Sequence, residues 1–303
     1  MSATLRALFW SSRPLSWINT AFPFAAAYVL TSASSSASGS SDGFDFSAVP
    51  WWIAIVGIVY FLVPYNLAMY GINDVFDYES DLRNPRKGGV EGALLDRSMH
   101  RTTLIAAVVT NVPFLVVLAA VGSPLSWLVL AVSVFAVVAY SAPRLRFKER
   151  PVVDSLTSST HFVSPALYGL VLAGAVLTPQ LWALLGAFFL WGMASHAFGA
   201  VQDVLADREG GIASIATVFG ARMTVRLSVV AYLLSALLTT FTDTPGPFAA
   251  LIPVAYAVSC APWWNVTDAE AEGVNRGWKR FLTLNFVSGF LVTMLLIWWV
   301  SRG

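Results

Sequence analysis

The sequence predicts an all-α, polytopic membrane protein, and its composition, its apolar stretches and its distribution of basic residues all support that fold class. Of 303 residues, 57% are hydrophobic and only 12% are charged. A typical soluble domain has about 25% charged residues, so the chain has too few charges to cover a water-soluble protein of this size. The formal net charge of +1 argues against a nucleic-acid partner.

Nine apolar stretches are long enough to cross a membrane, since a spanning helix needs roughly 20 mostly apolar residues. The predicted spans are residues 15–31, 49–72, 102–121, 125–142, 155–177, 180–202, 224–241, 246–262 and 281–300. The first stretch also permits interpretation as a signal peptide, but Trp17, Asn19 and Pro23 inside it favour a packed helix. A Ser-rich segment, about 32–47, predicts a loop on the outer side within a single domain of residues 1–303.

Basic residues predict how the chain is oriented in the cell membrane. Seventeen of the 18 Lys and Arg residues lie at the N-terminus or in the loops after spans 2, 4, 6 and 8. Because Lys and Arg are enriched in cytoplasmic loops, we expect a cytoplasmic N-terminus and an external C-terminus.

Two acidic clusters follow spans 2 and 6 on the predicted cytoplasmic side. Asn73, Asp77 and Asp81 are spaced by four residues, so one helix would carry them on one face, and Asp203 and Asp207 are spaced likewise. Carboxylates this close repel each other. Mg²⁺ relieves such repulsion and takes oxygen ligands from carboxylates, water and phosphate. The clusters therefore predict a Mg²⁺ site in a shared cavity that opens to the cytoplasmic face, whereas either cluster alone would also fit a solvated acidic loop.

Basic side chains near these clusters predict that the site also binds a phosphorylated group. Lys87 precedes two glycines, whose backbone N–H groups can approach a phosphate. For any single basic residue, membrane topology alone is the alternative explanation. The candidate phosphate-binding residues are Arg13, Lys87, Tyr140, Arg144, Lys148 and Arg208.

The same residues resemble the motifs of the UbiA-type intramembrane prenyltransferases. Residues 73–81 match that family's N-D-x-x-D-x-x-x-D motif, and residues 203–207 match its D-x-x-x-D motif. Tyr140 to Arg144 is similar to the family's tyrosine–lysine motif, with Arg where Lys is common. The resemblance leaves open whether Arg144 or Lys148 takes the role of that lysine. The expected nine spans also agree with the family.

This resemblance implies a prenyltransferase in which Mg²⁺ ions bind the oxygens of an allylic diphosphate. The implied metal ligands are Asn73, Asp77, Asp81, Asp203 and Asp207. The stretches 70–93, 140–151 and 190–210 look like those of the bacterial lycopene elongases, a group within the family. That likeness implies dimethylallyl diphosphate (DMAPP) as the donor, lycopene or a similar acyclic carotenoid as the acceptor, and C45 and C50 products.

An apolar acceptor would reach the cavity through an opening to membrane lipid. A quinone precursor, a chlorophyllide and a glycerol phosphate ether are alternative acceptors, and a transporter or lipid-binding membrane protein is the alternative class. The sequence identifies no base for the final proton loss, although His196 is a candidate, whereas His161 and Cys260 fit packing roles. The candidates to stabilise an allylic cation through their rings are Tyr65, Tyr70, Phe76, Phe189 and Trp191.

Overall fold

A computed structural model describes residues 2–36, 43–82 and 95–302, and these residues contain helices and no strands. The prediction of an all-α protein is therefore confirmed for the described part of the chain. The chain divides into two compact units. Unit 1 comprises Met1–Gly39, Asp45–Phe147 and His161–Ala175, and unit 2 comprises Ser40–Phe44, Lys148–Thr160 and Val176–Gly303.

Unit 1 contains seven complete helices and the second part of an eighth. They are α1 (Ala3–Ser11), α2 (Ile18–Ser36), α3 (Trp51–Leu62), α4 (Pro64–Phe76), α5 (Tyr78–Asp81), α6 (His100–Ala120), α7 (Pro124–Ser141) and α8 (Val153–Leu172). Helix α4 packs against α6 and α7. Ser123 and Ser126 form a capping box at the start of α7, with Pro124 at its first position.

The predicted span 49–72 forms two helices, α3 and α4, that meet at Val63 and Pro64. A proline inside a helix removes one backbone donor and clashes with the preceding turn. The Asn66 amide donates to the carbonyls of Phe61 and Leu62 at 2.7 and 3.1 Å. The Thr20 hydroxyl also donates to the Phe61 carbonyl, at 2.6 Å. These bonds satisfy carbonyls beside the break and fix the direction of α4, which carries Asn73.

Aromatic side chains form the core of unit 1. The buried ring of Phe24 lies 5.1 Å from Phe61 and 6.0 Å from Tyr168, measured between ring centroids. A Cβ atom at Gly57 would stand 2.1 Å from the Phe24 ring, so only glycine lets α3 approach α2 this closely. Packing across α2 and α3 thus depends on Gly57.

Unit 2 contains the first part of α8 and five further helices. They are α9 (Pro179–Val201), α10 (Val204–Glu209), α11 (Ile215–Thr239), α12 (Leu251–Cys260) and α13 (Asn275–Val300). Helix α11 packs along α9 and α12. Tyr232 and Tyr256 stack at 5.5 Å in the core, and the Tyr256 ring also contacts Phe281. Cys260 is buried in the same core, as its expected packing role requires.

Each predicted span coincides with a helical segment of the described residues, and seven of these segments are long and apolar enough to cross a membrane. Helices α2 and α8 are not among the seven. Both carry many polar residues, including Ser32 in α2 and Ser155 and His161 in α8. The count of nine spans therefore stays a prediction.

Several predicted boundaries differ from the structure. The Ser-rich loop was expected from residue 32, but α2 continues to Ser36, and the Ser34 hydroxyl donates back to the Thr31 carbonyl at 3.0 Å. Residues 37–42 of that loop lie outside the described residues. Helix α11 begins nine residues before the predicted start at 224, because Ser214 caps it by accepting the Thr217 N–H.

Candidate active site

The first acidic motif spans a bend between two helices. Asn73 lies in the last turn of α4, Asp77 caps that helix with φ −100° and ψ −1°, and α5 begins at the next residue. The Asp77 N–H still donates to the Asn73 carbonyl at 2.9 Å. The prediction of one continuous helical face from Asn73 to Asp81 is therefore wrong, because the chain leaves α4 at Asp77. The side chain of Asp81 lies outside the described residues.

The segment after α7 lies beside this motif. The Ser141 hydroxyl donates to Asn73 Oδ1 at 2.9 Å, and Arg146 Nη2 lies 3.9 Å from Asp77 Oδ1. Asp77 is buried, so this contact places a positive charge beside a carboxylate that has little access to water. Sequence reasoning passed over Arg146 even though it stands two residues after Arg144. The signal available in the sequence was its position between the two selected residues Arg144 and Lys148.

Asp74 connects the first motif to the segment after α1 in unit 1. Its buried carboxylate lies 2.9 Å from Arg13 Nη2 and accepts the Ser11 hydroxyl at 3.0 Å. The Arg13 guanidinium also lies 4.4 Å from the centroid of the Tyr70 ring. The predicted phosphate-binding residue Arg13 therefore reaches the motif, and it does so through an aspartate that the predicted ligand set omits.

Three arginines around this motif adopt left-handed backbone conformations. The φ angles are 51° at Arg13, 73° at Arg144 and 39° at Arg146. Such angles are uncommon for residues other than glycine and cost of order 1–3 kcal/mol each. Strained residues cluster at functional sites more often than elsewhere, and these three lie in the segments that meet the acidic motif.

Helix α5 contacts the short turn that precedes α6. Glu79 forms an ion pair with Arg97, and the Arg97 guanidinium lies 5.1 Å from the Tyr78 ring centroid. The side chain and backbone of Ser98 donate to Asp96 and lower the pKa of that exposed carboxyl. Helix α5 is thereby tied to the start of α6. The intervening candidate Lys87 lies outside the described residues.

The second acidic motif, in unit 2, also spans a bend. Asp203 precedes α10 with φ −97° and ψ −2°, and Asp207 lies inside that helix. The Asp207 N–H donates to the Asp203 carbonyl at 2.8 Å, and the Ser214 hydroxyl lies 3.5 Å from Asp207 Oδ2. The two carboxylates are one turn apart, as the spacing predicts, but they do not belong to one regular helix.

The remaining candidate site residues lie outside the two acidic motifs or contact other side chains. The Tyr140 ring packs edge-on against His161 at 5.3 Å in unit 1, and Lys148 lies in the 3₁₀ turn Phe147–Glu149. In unit 2, Arg208 binds Asp268, with 2.6 Å between Nη1 and Oδ2. His196 Nδ1 lies 3.1 Å from the Ser155 hydroxyl.

Two of the aromatic candidates are packed in the cores of their own units. The hydroxyl of buried Tyr65 accepts a hydrogen bond from Ser133 at 3.1 Å in unit 1. In unit 2, the Trp191 ring packs edge-on against Tyr256 at 5.4 Å. These contacts give both rings a structural role.

The donor atoms of both motifs suit Mg²⁺ better than a soft metal. Among the described residues, no group of three or more His, Cys, Asp or Glu side chains is placed to hold a metal ion by itself. Each motif instead supplies oxygen donors in pairs, Asn73 with Asp77 and Asp203 with Asp207. Mg²⁺ commonly uses one or two carboxylates and takes its other ligands from water and phosphate. This donor set therefore fits a cation that binds together with a diphosphate.

Comparison with known proteins gives a consistent result. A model of the UbiA prenyltransferase family matches residues 20–287. The chain is 54% identical over 297 residues to a lycopene elongase/hydratase from Corynebacterium glutamicum, and the alignment covers 98% of each chain.

Solved structures of a UbiA homolog from Archaeoglobus fulgidus have a similar fold. The structure bound to GPP and Mg²⁺ gives a TM-score of 0.67 at 17% identity and covers 93% of this chain and 99% of that one. The structure bound to DMAPP and Mg²⁺ gives a TM-score of 0.66 at 18% identity, with 95% and 99% covered. At such low identity the likeness concerns the fold alone.

Proposed function

The chain belongs to the UbiA prenyltransferase family, and from that premise we propose that it transfers dimethylallyl groups from DMAPP to the ends of lycopene. The products are C45 and then C50 carotenoids. The observation that carries this proposal is the 54% identity, over nearly the whole chain, to a protein named lycopene elongase/hydratase. An acyclic carotenoid is accordingly the acceptor we favour over a quinone precursor, a chlorophyllide or a glycerol phosphate ether.

The metal ligands are the oxygen donors of the two motifs. Mg²⁺ would be held by Asn73, Asp77, Asp81, Asp203 and Asp207 together with the diphosphate of the donor. The matched pairs one turn apart support this assignment, and so does the fold shared with a protein solved with DMAPP and Mg²⁺. When bound, Mg²⁺ supplies positive charge to the diphosphate oxygens.

Basic residues hold the diphosphate and stabilise the charge that develops on it. The proposed residues are Arg13, Lys87, Tyr140, Arg144, Lys148 and Arg208. Arg146 joins them because it lies 3.9 Å from Asp77. As the C–O bond of the donor breaks, the diphosphate leaves with the electron pair, and fixed positive charges aimed at its oxygens lower the barrier.

The acceptor reacts in an apolar environment. The terminal double bond of lycopene attacks the allylic carbon, and the new tertiary cation loses a proton or takes up water and then loses a proton. Water that reached the allylic cation too early would destroy it, so the site must exclude bulk solvent. Aromatic rings such as Tyr70 and Phe76, close to the first motif in the sequence, stabilise the cation.

The protein acts in the cell membrane as a multi-pass protein of nine spans, with its N-terminus and its active site on the cytoplasmic side. The asymmetry of Lys and Arg between alternate loops supports this orientation. A cavity that opens to membrane lipid would admit an acceptor roughly as long as the bilayer is thick.

Expression in a bacterium that accumulates lycopene tests the proposal. We expect new pigments heavier by one and two five-carbon units in cells that carry the protein. Cells that carry the Asp77→Ala variant are expected to keep lycopene unchanged. Lycopene left unmodified by well-expressed wild-type protein would contradict the proposed acceptor.

A further inference from the structure

Helix α11 is interrupted near its beginning by Gly220. This residue has φ 75° and ψ 162°, outside the helical region. In an uninterrupted helix the Ala221 N–H would donate to the Thr217 carbonyl four residues earlier. Here the Ala221 N–H donates instead to Asp268 Oδ1 at 2.7 Å. Glycine is favoured at position 220 because residues with a side chain rarely adopt this φ. A Cβ atom added there would also lie only 3.2 Å from Asp268 Oδ1.

An ion pair fills this interruption. Asp268 Oδ2 accepts Arg208 Nη1 at 2.6 Å, while Arg208 Nη2 and Nε donate to the Thr217 carbonyl at 3.0 and 3.3 Å. The two backbone groups that a regular helix would join are thus separated, and the pair satisfies both of them. The Ala221 N–H is partly buried, whereas the bonds of Arg208 lie at the exposed surface of unit 2.

Arg208 belongs to the short helix that carries the second acidic motif. Helix α10 has only six residues, Val204–Glu209, and includes Asp207 immediately before Arg208. A helix this short is not stable alone, because the conformational entropy lost in forming the first turn exceeds the stabilisation from its few hydrogen bonds. Its position depends on anchors, and the Ser214 hydroxyl, at 3.5 Å from Asp207, is a long and weak one. The buried Val204 side chain anchors the first turn of this helix. The three hydrogen bonds of Arg208 hold its last turn, and Asp268 orients that guanidinium.

We propose that Asp268 is a positioning residue for the second acidic motif: it orients Arg208 in the interruption of α11, and Arg208 holds α10 so that Asp207 is placed to bind Mg²⁺ with the diphosphate. This inference rests on the proposed function. Asp268 lies 61 residues after Asp207 in the sequence and belongs to neither motif. Residues that orient metal ligands typically change metal affinity by 10–100-fold when they are replaced.

The proposal can be distinguished from one in which Arg208 only binds the diphosphate, because the two predict opposite effects of Asp268→Asn on donor binding. If Arg208 only binds the diphosphate, Asp268→Asn releases its guanidinium from a competing carboxylate, and donor binding becomes tighter. If Arg208 works by holding α10, the same substitution loosens the helix, and the binding of metal and donor becomes weaker. Asp268→Asn keeps the shape of the side chain and an oxygen that can accept the Ala221 N–H.

The experiment measures Mn²⁺ binding by electron paramagnetic resonance in the purified full-length protein at saturating DMAPP, so it requires no turnover. Asp268→Asn and Arg208→Lys are compared with wild type, and Glu270→Gln is the matched control. Glu270 lies in the same 3₁₀ helix, Asp268–Val274, and its carboxylate binds only Thr267 among the contacts described. We expect Mn²⁺ affinity to fall about 10-fold in both test variants and to stay at the wild-type value in Glu270→Gln.

Wild-type affinity, or tighter binding, in Asp268→Asn would overturn the proposal. If Asp268→Asn does not fold, as judged by thermal unfolding in detergent, Arg208→Lys decides by the same criterion. That variant keeps the positive charge, and one ammonium replaces a guanidinium that binds two partners at once. Failure of the wild-type protein to bind Mn²⁺ with DMAPP would instead overturn the proposed function on which the inference rests.

Discussion

Arg13 and Asp74 form an ion pair, with 2.9 Å between Arg13 Nη2 and Asp74 Oδ1, that joins the segment after α1 to the last turn of α4. Asp74 is buried, whereas about a fifth of the Arg13 side chain is exposed. Because Asp74 is the neighbour of Asn73, this pair helps to fix the position of the first acidic motif. The pair therefore links the stability of unit 1 to the geometry of its proposed metal ligands.

Replacement of Arg13 by Ala should destabilise the protein. The change removes the Arg13 guanidinium from the buried Asp74 carboxylate, and breaking such a pair typically costs about 3–5 kcal/mol. Thermal unfolding in detergent should show a clearly lowered midpoint for Arg13→Ala and an unchanged midpoint for Arg6→Ala. Arg6 is the matched control because it is an exposed arginine of α1. Equal midpoints for the two variants would show that the ion pair contributes nothing to stability.

Replacement of Asp77 or Asp207 by Ala should reduce turnover by at least about 100-fold, the usual cost of removing a group that stabilises developing charge. Both variants should remain folded in the membrane. Glu209→Gln, at the exposed end of α10, is the control and should keep wild-type turnover. Near-native turnover of either alanine variant at millimolar Mg²⁺ would refute the paired-carboxylate metal site.

Removal of divalent cations should stop the reaction. Because the motifs offer oxygen donors that suit hard cations, exhaustive treatment with a chelator should abolish turnover, and added Mg²⁺ or Mn²⁺ should restore it. Turnover is followed as release of diphosphate from DMAPP. Full activity after chelation would exclude a metal-dependent mechanism.

Lys148→Ala should weaken the use of the donor rather than of the acceptor. Loss of one hydrogen bond to a charged group typically costs about 1.5–3 kcal/mol, which corresponds to roughly 10–100-fold in kcat/KM for DMAPP. Steady-state kinetics at fixed lycopene should show this loss. Lys279→Ala, which removes an exposed lysine of α13, should have no such effect. A change confined to the KM for lycopene would reject the proposed role of Lys148.

The sequence predicted the helical fold class, and each predicted span coincides with a helical segment, because long apolar stretches leave few alternatives. It did not predict the short helices α1 and α10. It also identified both motifs, since residues at i and i+4 meet on one turn. It did not reveal the bends at Asp77 and Asp203. Residues spaced by four lie one turn apart whether the helix continues or ends at that turn. The Asp77 N–H, for example, still donates to the Asn73 carbonyl although α4 ends there.

The partners of the motif residues were harder to predict. Arg13 pairs with Asp74 across 61 residues, and Arg208 pairs with Asp268 across 60. Such pairs depend on how helices pack, and a single sequence contains no periodic signal for them. Arg146 is a different case. It stands within the segment already selected for Arg144 and Lys148, and the structure places its guanidinium 3.9 Å from Asp77 Oδ1.

The central claim is that the protein joins five-carbon units from DMAPP to lycopene. The most direct test uses purified protein in membranes with lycopene, isotopically labelled DMAPP and Mg²⁺, followed by mass analysis of the pigments. We predict labelled products heavier than lycopene by one and then two five-carbon units, with or without added water. Label transferred to an aromatic acid or a naphthoate in the same membranes, with lycopene unchanged, would contradict the claim.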